Sequence, residues 1–154
     1  MGVSLAMIEP EIAGNVGAML RTCACFEVTA HLVEPCGFAF SDKALRRAGM
    51  DYAASASIER HADRGNFVAA MRDRGHRLIL LSTTGTTALH DCAFTDADVL
   101  MLGSEGAGAP ADIHAAADLV VRIPLSAGFR SLNVSVAAGI ALAEALRQTK
   151  GFPA

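Results

Sequence analysis

Apolar residues along this chain follow two alternating patterns: short unbroken runs, and longer stretches where they return every third or fourth position. The runs Val3–Ile8, Val28–Glu34, Arg77–Ser82, Val99–Gly103 and Leu119–Ile123 predict buried strands, and Ala56–Glu59 a shorter one. Between them, Asn15–Phe26 carries Val16, Met19, Leu20 and Cys23 on one side and predicts a helix. Ser41 or Asp42 is placed to cap a short helix that bears Lys43, Arg46 and Arg47 and stops at Gly49. Asp63–Arg74 predicts an amphipathic helix with Phe67, Val68 and Met71 inward and Gly75 as its end. Pro110–Ala117 and Asn133–Gln148 predict the last two helices, while Pro35–Gly37 and Thr83–Thr87 read as turns. No linker, repeat or low-complexity stretch interrupts this alternation. The expected fold is α/β, a mainly parallel sheet with helices on both faces, in one domain spanning residues 1–154.

Composition sharpens the picture. With 52% hydrophobic and 19% charged residues, a sizeable core is expected and disorder is not. The apolar content leans on alanine, with no tryptophan and one tyrosine, which suits close helix packing and a subunit interface. The formal charge of −3 gives no global attraction to nucleic acid, so any RNA contact must come from local patches. Cys23, Cys25, Cys36 and Cys92 form no CxxC pair and have no short Cys/His partner, so no metal is expected and the thiols are read as reduced and mostly buried. His31, His61, His76, His90 and His114 share no spacing and read as surface or strand histidines. The first residues lack a basic region and are broken by Glu9 and Pro10, so they read as a strand, not a signal peptide. No uncharged run approaches the about 18 residues a membrane span needs, and the expected location is cytoplasmic.

Candidate chemistry lies in three Gly/Ser/Asn-bearing segments, each following an apolar run: residues 9–22, 100–110 and 121–139. Ligands of open α/β sheets bind outside the carboxyl ends of such strands. In the first, Asn15 reads as a helix cap, with Gly17 and Arg21 further along the helix. In the second, Gly103, Gly106 and Gly108 allow close backbone approach to a ligand, and Pro110 suits a helix start. Gly106, Gly108 and Ala111 also make a relaxed GxGxxA, the mark of a nicotinamide-cofactor oxidoreductase. The acidic residue that motif requires about twenty positions on is missing, because the chain there reads Ile123-Pro124-Leu125-Ser126. In the third, Ser131 or Asn133 caps the closing helix, and Arg130 sits beside them after the glycine-containing loop Ser126–Phe129. Lys43, Arg46 and Arg47 fall on one helix side and read as a solvated face or a phosphate-contacting patch.

Taken together, these residues resemble the SPOUT-class RNA 2′-O-methyltransferases, and within them the short tRNA wobble-nucleotide enzymes of the TrmL (YibK) family. The likeness runs through IEPEIAGNVGAMLRTCA, EPCGFAFSDKALRRAGMDY and RIPLSAGFRSLNVSVA, covering essentially the whole chain. The family's three motifs correspond to Asn15, Gly17 and Arg21; to Gly103, Glu105 and Gly108; and to Ser131, Asn133 and Ser135. The chain departs from close relatives at Ala107, Val136 and Ala143, where they carry Arg, Asn and Tyr.

The resemblance implies a C-terminal trefoil knot, a homodimer, and S-adenosylmethionine bound in the knot. It places the cofactor around Leu81, Gly103, Ile123 and Ser131, with Leu102, Leu125 and Leu132 as further lining and Glu105, Gly108 and Asn133 in the cofactor loops. It implies methyl transfer to the ribose 2′-hydroxyl of the wobble nucleotide in the tRNA anticodon loop. Arg21, Arg130 and Ser131 are then the catalytic candidates, and Asn15, Arg21, Lys43, Arg46, Arg47 and Arg130 the RNA-binding ones. Methylation of another RNA such as rRNA, a nucleotide-cofactor oxidoreductase, and a non-catalytic RNA-binding dimer are the competing readings.

Overall fold

The computed structural model of the chain describes residues 1–39, 41, 43–44 and 55–154. Seven parallel strands among the described residues form one sheet: β1 (Ser4–Ile8), β2 (Ala30–Val33), β3 (Ile58–His61), β4 (Arg77–Leu81), β5 (Thr87–Ala88), β6 (Asp98–Leu102) and β7 (Leu119–Arg122). Their spatial order is β3-β2-β1-β6-β4-β7-β5. Among the described residues, four α-helices accompany them: α1 (Ala13–Cys25), α2 (Arg64–Asp73), α3 (Ala111–Ala116) and α4 (Val134–Thr149).

Unbroken apolar runs form the central strands because both faces of the sheet are covered. Along β1, Leu5 and Met7 join one core with Val16, Met19 and Leu20 of α1 and Ala138, Ala141 and Leu142 of α4. Ala6 and Ile8 point to the other core, with Phe67 and Met71 of α2 and Ile113 of α3. The period-two alternation repeats in β4 and β6, so two helices cover each face.

Local signals act as the sequence predicts at several helix starts. Asp63 Oδ1 accepts from Asn66 N at 2.7 Å and begins α2; Ser41 Oγ accepts from Ala44 N at 3.1 Å. Gly75, at φ +76°, leaves α2 through the left-handed region. Asp98 is fully buried at the start of β6, and its carboxylate accepts from Arg77 Nε and Nη2 (both 2.7 Å) and from Thr95. A charge buried this deeply persists only because it is paired and bonded.

Three expectations change. The polar stretch after β4 is not only a turn: Thr87 and Ala88 pair with Val121 and Arg122 as edge strand β5, too short to show periodicity. The strand expected at Ala56–Glu59 lies at Ile58–His61, because register with Ala30–Val33 sets its bounds. Helix α1 begins before Asn15, with Ile12 at the N-cap and no side-chain bond there, so Asn15 is not the cap.

Register decides where a ligand can sit. Met7, Leu102, Leu81 and Val121 stand as partners across β1, β6, β4 and β7, so these strand ends share one edge of the sheet. Segments 9–22, 100–110 and 121–139 flank those ends.

Candidate active site

A cleft of about 600 Å³ opens at this edge. Leu81, Leu102 and Val121 come from the strand ends, and Ile123 and Leu125 from the chain after β7. Gly103, Glu105 and Gly108 supply the loop after β6. Ser131, Leu132 and Asn133 lead into α4, and Asn15 faces the cleft from α1. Every residue expected to contact a cofactor therefore lines one cavity. Arg21 and Arg130 are exposed and are not among its lining residues. Lys43 is exposed in the short helical stretch after Ser41, and Arg46 and Arg47 lie outside the described residues.

The three loops are bonded to one another. Glu105 Oε2 accepts from Glu11 N at 2.8 Å, and Oε1 from Ile12 N at 3.3 Å and Asn15 Nδ2 at 3.2 Å. Its carboxylate thus lies at the positive end of the α1 dipole, bonded to the amide of the N-cap residue Ile12 and of Glu11 just before it, and not to the first-turn amides that a capping side chain would serve. Asn15 Oδ1 accepts from Asn133 Nδ2 at 3.0 Å. Asn133 Oδ1 accepts from Ser135 N (2.9 Å), Ser135 Oγ (2.6 Å) and Val136 N (3.3 Å), capping α4. The carboxylate can only accept and the α4 amides can only donate, so the orientation of both asparagines follows. Through these bonds the side chains of Glu105 and Asn133 tie the cleft's loops to one another.

Gly103 is required by crowding. A β-carbon there would lie 2.3 Å from Ala109 N and 2.5 Å from Gly108 C, so the two sides of the loop touch. The GxGxxA reading fails at its helix: α3 is six residues long, begins after Pro110, and has no side-chain cap. Beside the cleft, Phe129 N donates to Ser126 O at 3.3 Å, and Gly128 at φ +91° completes this turn, which leads to Arg130.

The histidines yield a feature that spacing did not reveal. His31 and His61, on neighbouring strands β2 and β3, are buried, with His31 Nδ1 3.1 Å from His61 Nε2. Burial lowers the His31 pKa to about 4; Glu59 opposes the shift, while His61, Arg74 and His76 add to it. Among the described residues, His31, Glu59 and His61 are the trio close enough to hold a metal ion. Glu59, however, already pairs with Arg74 at 2.8 Å, and none of the three lines the cleft. The thiols are free, as the sequence suggests: Cys23 and Cys92 are buried and Cys36 is half-buried, while Cys25 departs from the expectation and is exposed. Burial pushes the Cys23 thiol up to about 12. No helix among the described residues is long and apolar enough to cross a membrane.

Comparison with known proteins agrees with this geometry. The model of the SpoU rRNA methylase family matches residues 2–143. A tRNA (cytidine(34)-2′-O)-methyltransferase of Ancylobacter novellus is 49% identical over 152 residues, covering 99% of this chain and 96% of the relative. A structure solved under the description "Structural insights into the 2-OH methylation of C/U34 on tRNA" superposes with a TM-score of 0.90 at 36% identity, covering 97% of both chains. An AdoMet-bound rRNA methyltransferase from Sinorhizobium meliloti superposes with a TM-score of 0.85 at 28% identity, over 95% of this chain and 56% of that one.

Proposed function

The chain belongs to the SpoU rRNA methylase family, and from that premise we infer that it transfers a methyl group from S-adenosylmethionine to the ribose 2′-hydroxyl of the wobble nucleotide of tRNA, a cytidine or a modified uridine. Residues 1–154 act as one methyltransferase domain in the cytoplasm. The observation that carries this reading is the convergence of three distant segments on one cleft, with Asn15 bonded to both Glu105 and Asn133.

The cleft suits the donor. Its volume is within the about 300–1,000 Å³ typical of small-molecule sites. Leu81, Leu102, Ile123, Leu125 and Leu132 offer apolar walls for an adenine, and backbone at Gly103, Gly108 and Ser131 offers polar contacts. When bound, S-adenosylmethionine supplies an electrophilic methyl group on a sulfonium sulfur. That methyl is already activated, so the transfer asks for no metal ion. The protein has to orient a ribose hydroxyl and stabilise the charge left as its proton departs. Arg21 meets the second need. A guanidinium does not deprotonate in proteins, so it acts on the developing alkoxide, together with an RNA phosphate, and not as a free base. Arg130 and Ser131 orient the substrate ribose or the donor's carboxylate.

Homodimerisation is part of the proposal. Helix α4 turns Val136 (50% exposed) and Ile140 (41%) outward with Gly139 and Ala143, and Ile12 is 50% exposed. An uncharged stripe of this kind suits a second copy of the chain. Lys43, Arg46 and Arg47 would contact anticodon-loop phosphates, with Asn15, Arg21 and Arg130 nearer the reacting nucleotide. The trefoil knot of the family is part of the same proposal; the close approach of Gly85 to Val121, where a β-carbon would lie 2.6 Å from Val121 C, reflects the pairing of β5 with β7.

The test is transfer of tritiated methyl from the donor to total tRNA and to rRNA, with the labelled nucleotide mapped after digestion. Label at the 2′-oxygen of tRNA position 34 is expected. Label confined to rRNA would move the activity to another substrate.

A further inference from the structure

The segment between β7 and α4 carries a side chain that neither the core nor the cleft uses. Every residue from 124 to 133 is exposed, and Phe129, at 75%, is the most exposed large apolar side chain among the described residues. The turn there is set by Gly128 at φ +91° and by the bond from Phe129 N to Ser126 O, and it asks nothing apolar of position 129. Phe152, also exposed, leans edge-on against Phe26 with ring centroids 5.4 Å apart. Phe129 has no ring contact among the described residues. A charged group left in solvent is satisfied by water; a phenyl ring is not.

Its position is next to the chemistry. Leu125 before the turn, and Ser131 and Leu132 after it, line the cleft. Two residues of chain span at most about 7 Å, so the Cα of Phe129 stands within that distance of Ser131. Arg130 lies between them, exposed and with no ion pair among the described residues. By contrast Arg64, Arg72, Arg74, Arg77 and Arg147 each meet a carboxylate, so the loop keeps a positive charge that those surfaces neutralise. A bare aromatic ring with a cation beside it is how proteins hold unpaired nucleotides, the ring against the base and the charge on the phosphate.

Resting on the methyl transfer inferred above, we propose that Phe129 is the platform on which the base of the nucleotide being methylated stacks, holding its ribose at the mouth of the cleft. Every base has a π face, so the contact accepts cytosine and a modified uracil alike and reads the edge of neither. An anticodon loop offers such bases unpaired. With the base held at one end, the attached ribose keeps its 2′-hydroxyl beside the donor, which is the orientation the transfer needs. Phe129 is a positioning residue and takes no part in proton removal.

The chain has no tryptophan, so Phe129→Trp carries a single fluorophore at the platform. With S-adenosylhomocysteine present, a tRNA anticodon stem-loop should quench its emission, and a stem-loop with an abasic ribose at position 34 should not. Phe129→Ala should lower tRNA affinity and kcat/KM for tRNA about tenfold, the scale of one base–aromatic stack. Phe129→Tyr and Phe129→Trp should recover most of that loss. On the abasic stem-loop, wild type and Phe129→Ala should bind alike. Tm, calorimetric affinity for S-adenosylhomocysteine and sedimentation equilibrium should match wild type in all three variants. Phe129→Ala protein that binds and methylates tRNA as wild type does overturns the proposal, as does an equal loss or equal quenching with the abasic stem-loop. Emission that is blue-shifted before RNA is added and reddens on dilution, with Phe129→Ala turning monomeric, places the ring under a second copy and also overturns it. Wild-type protein that transfers methyl to rRNA alone, or to no RNA, overturns the parent reading, and this one with it.

Discussion

Asn15 and Asn133, 118 residues apart in sequence, share a 3.0 Å hydrogen bond that joins the first helix to the last across the mouth of the cleft. The same Asn15 amide donates to Glu105, so three motifs scattered along the chain meet at one side chain. Asn15→Asp would set a carboxylate against Glu105 and remove a donor. We expect S-adenosylmethionine affinity to fall about tenfold, the scale of one hydrogen bond to a charged group. Calorimetry against Asn15→Ala, which removes the bond without adding charge, checks it: equal losses would mean that repulsion plays no part.

Arg21 is exposed on α1 and is not among the residues lining the cleft. Arg21→Ala should therefore leave donor affinity near the wild-type value while methyl transfer collapses, by about 100-fold or more for the loss of one electrostatic stabiliser. Single-turnover rates with saturating tRNA separate the two effects. Turnover at the wild-type rate would remove Arg21 from the chemistry.

Val136 and Ile140 project from α4 into solvent. Replacing both with Asp should yield a monomer in sedimentation equilibrium, because two desolvated carboxylates cost several kcal/mol at a closed interface. Circular dichroism should be unchanged, since neither side chain belongs to the core. A wild-type protein that is monomeric at micromolar concentration would refute the dimer.

Acid should weaken the fold through His31. Its folded pKa of about 4 lies below the ordinary 6.5, mainly from burial, with the Arg74, His76 and His61 charges acting in the same direction against Glu59. A group with a depressed folded pKa contributes stability above its unfolded pKa and loses it as pH falls. The loss should run from about pH 6.5 to pH 4 and reach about 3 kcal/mol for this one group. Urea midpoints at pH 7 and pH 5 measure it, and His31→Gln should flatten the dependence. A midpoint that does not move between those pH values would show that His31 is not buried in its neutral form.

Much of this was legible in the sequence. The unbroken runs at Ser4–Ile8, Arg77–Leu81 and Asp98–Leu102 announce strands buried on both faces, and Asp63 and Asn133 announce helix starts. Two-residue β5 was not legible, because it exists only through pairing with β7. Asn15 looked like a cap, since its identity and place before an apolar face fit one; it lies inside the helix instead, and its side chain donates to Glu105, brought from 90 residues away. The buried His31–His61 pair left no periodic trace, because the contact is set by register between β2 and β3.

The sequence by itself determined the elements, the two-faced core and the residue types in the loops, because those depend on local spacing and on the transfer of side chains out of water. Only the tertiary structure decided that the end of β6 stands between β1 and β4, that Glu105 reaches the start of α1, and that Phe129 is left bare beside the cleft. Strand order and loop convergence are properties of non-local packing. They are fixed by which faces can be buried together, and no window of sequence contains both partners.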